Sequence, residues 1–188
     1  MNPSEMLSRE QQKELLALAR RTIELYLKEG KKLSYSAHDE SLKRRSGAFV
    51  TIHSGSDLRG CIGIIQPIKP LYETIIDCAI SASTEDYRFE PLKPDELAKS
   101  ELEVSVLTMP EVVKDIEAIE VGKHGIIISR GFSKGLLLPQ VAAEHNWDRK
   151  AFLAQTCMKA GLPANAWREG AKIEIFSAQV FSDKDFQE

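Results

Sequence analysis

The stretch "GAFVTIHSGSDLRGCIGII", Gly47 to Ile65, decides how this chain folds. Its halves, "GAFVTIH" and "DLRGCIGII", are rich in Val, Ile and Phe, and the small polar "SGS" between them reads as a hairpin turn. Strands joined so tightly must run antiparallel, because a parallel pair needs a long crossover. The stretch also poses a chemical question, since it sets Cys61 between Gly60 and Gly63 with Arg59 two positions upstream.

Outward from the hairpin, the rest of the order follows. Before it, Ser8 and Gln11 form an S-x-x-Q capping box. Leu15, Leu18, Ala19, Thr22, Ile23, Leu25 and Tyr26 recur at helical spacing until Gly30 stops the helix. After the hairpin, Pro67 breaks the strand and Pro70 suits the first turn of a second helix, "LYETIIDCAISAS". "TEDYRFEPLKPDEL" is too rich in proline and charge for a regular element. It reads as an ordered loop, and residues 84 to 96 are the candidate seam between two lobes. "LEVSVL" alternates as a strand, with Leu102, Val104 and Val106 on one face. "HGIIIS" and "GLLL" are two more strands joined by "RGFSKG". Asn146 or Asp148 caps a helix through "RKAFLAQTCMKA" that ends at Gly161. A final strand, "AKIEIFSAQVF", closes the chain. Short hairpin-like connections favour α+β with a mainly antiparallel sheet and flanking helices.

Composition bounds the function. The 188 residues are 43% apolar and 28% charged, enough for one domain with a core that needs no disulfide or metal. The net charge of −3 argues against general binding to nucleic acid or acidic membranes. The run Lys43, Arg44 and Arg45 is the local exception, and it reads as a solvated loop before it reads as a phosphate-facing patch. Three cysteines without a CxxC pair fit a reducing compartment. The charged N-terminus and the absence of a long apolar run point to a cytoplasmic protein with no membrane span. His38, His53, His124 and His145 show no metal-ligand spacing, and no glycine-rich nucleotide loop is present. The expectation is of no metal and no cofactor of its own. A small-molecule ligand and a homo-oligomer both stay open.

Side chains alternate along a strand, so Arg59, Cys61 and Gly63 would share a face. Arg59 could then favour the Cys61 thiolate, the nucleophilic form, while Gly63 leaves room for approach and Gly60 permits close packing behind. A symmetrical turn at "SGS" gives the opposite outcome. It pairs His53 with Leu58, sets Val50 opposite Cys61 and Ile52 opposite Arg59, and leaves an inert thiol in apolar surroundings. A one-residue bulge reverses that placement. His124, in "GKHGI" beside Lys123, is a candidate proton carrier, although glycines around a polar residue are also ordinary turn chemistry. Arg88 could hold a carboxylate or phosphate, or pair locally with Asp86 or Glu85. Gln140 could present its amide at a helix start or act as a cap. Cys78 and Cys157 fall on apolar helix stripes and read as core. The candidate catalytic set is therefore Cys61, His124 and Arg59. Gly60, Gly63, Arg88, Lys123 and Gln140 are the candidate binding set.

The phrases "LRGCIG", "EDYRFEPL", "LEVSVL", "GKHGI", "GLLLPQVA" and "FLAQTCMKAGL", in that order over Leu58 to Leu162, resemble the AMMECR domain family, also called AmmeMemoRadiSam system protein A. The resemblance implies a single AMMECR-type domain over residues 1–188, built of a larger and a smaller lobe packed together. It implies a cytoplasmic protein that works with a Memo-type and a radical-SAM companion, and it marks "LRGCIG" as a suspected functional phrase. No particular reaction follows from it. A cysteine-dependent enzyme or enzyme subunit, a non-catalytic binding module and, more weakly, an RNA-binding protein are the three classes carried forward.

Overall fold

The computed structural model describes residues 6–186. Two compact units emerge, Thr108–Ala178 and a larger one made from the chain on either side of it.

The larger unit begins with α1 (Arg9–Glu29), which starts at Ser8 with both halves of the capping box formed and stops at Gly30, φ 66°. A one-turn helix, α2 (Glu40–Lys43), follows. Next come the hairpin β1 (Ala48–Ser54) and β2 (Asp57–Ile64), then α3 (Leu71–Thr84), the one-turn α4 (Pro94–Leu97) and β3 (Glu101–Leu107). The second unit holds β4 (Glu111–Val112), β5 (Gly125–Arg130), β6 (Ser133–Leu137), α5 (Pro139–Glu144), α6 (Arg149–Lys159) and β7 (Lys172–Phe176). The chain then returns as β8 (Ala178–Ser182). The sheets are ordered β2-β1-β3-β8 and β4-β7-β5-β6, and β1 with β2 and β3, β4 with β7, and β5 with β6 and β7 all pair antiparallel. The α+β class expected from the hairpin is the class observed.

Three expectations are corrected. The closing stretch is two strands in two different sheets, with Ser177 between them held to Thr108 by hydrogen bonds in both directions. Pro70 is the cap of α3, one residue before its first turn. The loop at residues 84 to 96 is internal to the larger unit, which divides from the smaller one after Leu107 and again after Ala178. Leu92 N–H donates to the Ser83 carbonyl at 2.7 Å, so that loop folds back on α3 and forms no seam.

The larger core packs Leu15, Leu18, Ala19 and Ile23 of α1 and Ile75, Cys78, Ala79 and Ala82 of α3 onto Val50, Ile52, Leu102 and Val104 of the sheet. Each of the leucine, isoleucine and valine side chains among them contributes about 1.5–3 kcal/mol by leaving water. Strand alternation then sends Phe49, Thr51 and His53 of β1, and Glu101, Glu103 and Ser105 of β3, to the face away from α1 and α3. In the smaller unit Ile126, Ile128 and Ile173 pack with Phe152, Leu153 and Cys157 of α6. Asp148 caps that helix, accepting from Ala151 N–H at 2.7 Å.

Candidate functional site

The turn between β1 and β2 is two residues, Gly55 (φ 64°) and Ser56, and His53 does pair with Leu58. The register then shifts between Ile52 and His53, so that Ile52 pairs with Gly60 and Arg59 is the extra residue. Thr51 thereby stands opposite Cys61, and Val50 opposite Ile62. The bulge is what moves the thiol off the core face. Its sulfur meets a hydroxyl, with Thr51 Oγ1 donating to Cys61 Sγ at 3.2 Å.

The glycines flanking Cys61 have separate causes. A Cβ on Gly60 would lie 2.2 Å from the Ala82 carbonyl oxygen, so Gly60 lets the α3 backbone approach the sheet. That is the close packing expected of it. A Cβ on Gly63 would lie 2.2 Å from the ring of Phe49, its partner across the strands. The space above Gly63, read from the sequence as room for a ligand, is filled by that ring.

Arg59 does not turn toward the thiol. As the bulged residue it reaches outward, where Nε and Nη2 donate to the two Glu96 oxygens at 3.1 and 3.2 Å. Its Nη1 donates to the Glu90 carbonyl at 2.8 Å. Arg59 therefore fastens the loop before β3 to the sheet edge, and the activating role expected of it is corrected on that geometry. The cation beside Cys61 is Arg88. Asp86, with its side chain only 2% exposed, accepts from Cys61 N–H at 2.9 Å and from Arg88 Nε and Nη2 at 2.9 and 2.7 Å. Arg88 Nη2 also donates to the Cys61 carbonyl at 3.3 Å. Since β2 is an edge strand, Asp86 and Arg88 satisfy backbone groups that a further strand would otherwise take. Arg88 holds Asp86 well below the usual carboxylate range.

Cys61 is half-buried, whereas Cys78 and Cys157 are buried in the two cores as expected. Burial pushes the Cys61 thiol up, the Thr51 hydrogen bond and Arg88 pull it down, and Asp86 and Glu103 push it up again, for a net rise. Cys78, whose Sγ lies 3.5 Å from the Ala48 carbonyl, is pushed up to about 12 by burial. Opposite Thr51 on its other side is Glu103, which gives a cross-strand row Cys61–Thr51–Glu103 with His53 beside it. Burial raises the Glu103 carboxyl, and His53 partly offsets the rise. Sequence reasoning missed Thr51, Glu103, His53 and Asp86 as members of this site. The alternation in "FVTIHS" and "ELEVS" carried the first three, and nothing in the sequence marked which face of β2 would join them.

His124, Lys123 and Gln140 belong to the smaller unit. His124 Nδ1 accepts from Glu120 N–H at 3.1 Å, and Lys123 pairs with Glu120 at 2.9 Å, so both side chains bind one turn. Burial, and then Lys123, lower the His124 imidazole below its ordinary value. Gly122 (φ 84°) makes the turn, and a Cβ on Gly125 would strike the Phe176 ring at 2.2 Å. Gln140 is the second residue of α5 and does not cap it; its Oε1 is buried without a hydrogen bond among the described residues. In the basic run, Lys43 pairs with Glu40 at 2.7 Å, and the Arg44 carbonyl accepts from Leu71 N–H at 2.9 Å. Among the described residues no three His, Cys, Asp or Glu side chains converge as metal ligands would, and no helix is long and apolar enough to cross a membrane.

The AMMECR1 family model matches residues 16–181. Protein MK0488 of Methanopyrus kandleri is 44% identical over 191 residues, spanning 96% of this chain and 92% of that protein. Protein MJ0810 of Methanocaldococcus jannaschii is 46% identical over 174 residues, with 88% and 86% covered. The crystal structure of the uncharacterized protein PH0010 from Pyrococcus horikoshii superposes with a TM-score of 0.83 at 42% identity, over 90% of this chain and 89% of that one. The chain belongs to the AMMECR1 family. The resemblance carried by the ordered phrases holds.

Proposed function

We propose that the larger unit is a binding module whose sheet face away from α1 and α3 receives a small polar molecule or a modified group, with Cys61 meeting it as a neutral thiol. The supporting observation is the bulge at Arg59, which aligns Cys61 with Thr51 and Glu103 on that face. Cys61 and Glu103, half-open to water on either side of the buried Thr51, suit a ligand that supplies their remaining hydrogen bonds. The raised thiol and the diversion of Arg59 to Glu96 weigh against an ionised nucleophile. We further propose that the module is cytoplasmic and works beside Memo-type and radical-SAM companions, as the resemblance implies.

A second reading keeps Cys61 as a nucleophile. It rests on the Thr51 hydroxyl at 3.2 Å and on the charge of Arg88, both of which favour thiolate. Alkylation of folded protein by iodoacetamide across a pH series, with the modified peptides read by mass spectrometry, separates the two. The binding reading expects Cys61 to label, Cys78 and Cys157 to stay protected, and the Cys61 rate to rise with a midpoint above the ordinary thiol value of about 8.5. A midpoint well below that value would establish the nucleophile instead. Protection of Cys61 equal to that of Cys78 would close the face to ligands and sink both.

A further inference from the structure

The charges around Cys61 also specify what kind of ligand the face takes, if the binding reading above holds. Read from the sequence, Arg59 and Arg88 are the cations available to this face. In the structure the Arg59 guanidinium is spent on Glu96 and the Glu90 carbonyl. Arg88 is cancelled at close range by Asp86, which engages it through both carboxylate oxygens. Glu103 is left. It has no hydrogen bond or ion pair among the described residues, and it is half-buried. Of the groups around it, Glu101 is taken by Lys184 at 2.5 Å, and Asp185 accepts from Ser182 N–H at 2.6 Å. His53 lies one pair along, opposite Glu101, and makes no hydrogen bond to Glu103.

We infer that Glu103 selects a ligand bearing a positively charged group, such as a protonated amine, which pairs with its carboxylate while the body of the ligand lies over Thr51 and reaches Cys61. Adjacent strands are about 4.8 Å apart, so Cys61 and Glu103, one strand either side of Thr51, are separated by about 10 Å. A small amine with a short chain spans that distance. A carboxylate withdrawn from water without a cation is costly, and a cationic ligand relieves that cost.

The test uses Cys61 as a reporter of the local field. The whole chain is treated with trimethylammonioethyl methanethiosulfonate or with sulfonatoethyl methanethiosulfonate. Each Cys61 rate is divided by that reagent's rate with a small free thiol. The expected normalised preference is for the cationic reagent, on the order of fivefold at low ionic strength, and it shrinks as salt is added. It should fall to near parity in Glu103→Gln, invert in Glu103→Lys, and persist in Arg59→Gln. A preference for the anionic reagent, or one that Glu103→Gln leaves unchanged in a variant with native circular dichroism, overturns the inference while leaving an accessible binding face. Should Glu103→Gln fail to fold, the sign of the wild-type preference and its loss with salt decide the matter. If neither reagent reaches Cys61, the binding reading falls and this inference falls with it.

Discussion

Two stretches of this chain look alike on paper, "RGCIG" in the larger unit and "GKHGI" in the smaller, each with a reactive side chain between glycines. Their glycines serve different ends. Gly60 admits the carbonyl of Ala82 to the sheet, Gly63 sits under the Phe49 ring, Gly125 sits under Phe176, and only Gly122 is there for its positive φ. Neither stretch is an open cradle. What separates them is the partner given to the reactive group: His124 is consumed by its own turn, whereas Cys61 is set in a row with two polar side chains from neighbouring strands. Glycine next to a chemically active residue is thus a statement about packing first.

The difference between the two stretches can be broken by substitution. The largest effect should come from Gly60→Ala, because backbone on α3 cannot swing aside as a side chain can. A loss of roughly 3 kcal/mol is expected in urea unfolding, against about 1 kcal/mol for Gly122→Ala, where only φ is strained. Equal losses would mean that Gly60 is not holding the sheet and α3 in close approach.

Asp86→Asn comes next, at about 2 kcal/mol. The carboxylate is buried but Arg88 is 42% exposed, so the full cost of breaking a buried pair is reduced by solvent. Its sign with pH is fixed by linkage. The folded carboxyl is held below its unfolded value, so its stabilisation is complete above about pH 4 and drains away as the pH falls from there toward the folded value. Wild type and Asp86→Asn should therefore converge in stability on acidification, and a gap that stays constant below pH 4 would contradict the assignment.

Arg59→Lys is the smallest, about 1 kcal/mol from the loss of the forked contact to Glu96. It sharpens the comparison because the Cys61 alkylation rate should not change. A slowed Cys61 in Arg59→Lys would return Arg59 to the thiol.

Most of the framework was legible in the residues. The Ser8–Gln11 box, Gly30, Asp148 and the strand alternation of "LEVSVL" each named an element that the structure contains. The hairpin and its β-branched strands were equally plain. What the residues did not announce was the single extra position at Arg59. A side-chain period of two makes every residue beyond a bulge change faces, so one unpaired residue decided whether Cys61 would oppose Val50 or Thr51. The sheet switch at Ser177 escaped for a related reason, since "AKIEIFSAQVF" is continuously strand-like and only tertiary pairing divides it. The roles of Arg59 and Arg88 were exchanged by the same bulge, because it directs Arg59 outward to Glu96 and leaves the Cys61 edge to Arg88.

The most direct test of this account is the titration of the Cys61 Cβ carbon by NMR in the wild type and in Thr51→Val. The account predicts a wild-type midpoint above that of an ordinary cysteine, moving higher still in Thr51→Val as the donated hydrogen bond to sulfur disappears. A midpoint below the ordinary value would contradict the neutral thiol and establish the nucleophile, and one indifferent to Thr51 would show that the thiol does not face that hydroxyl.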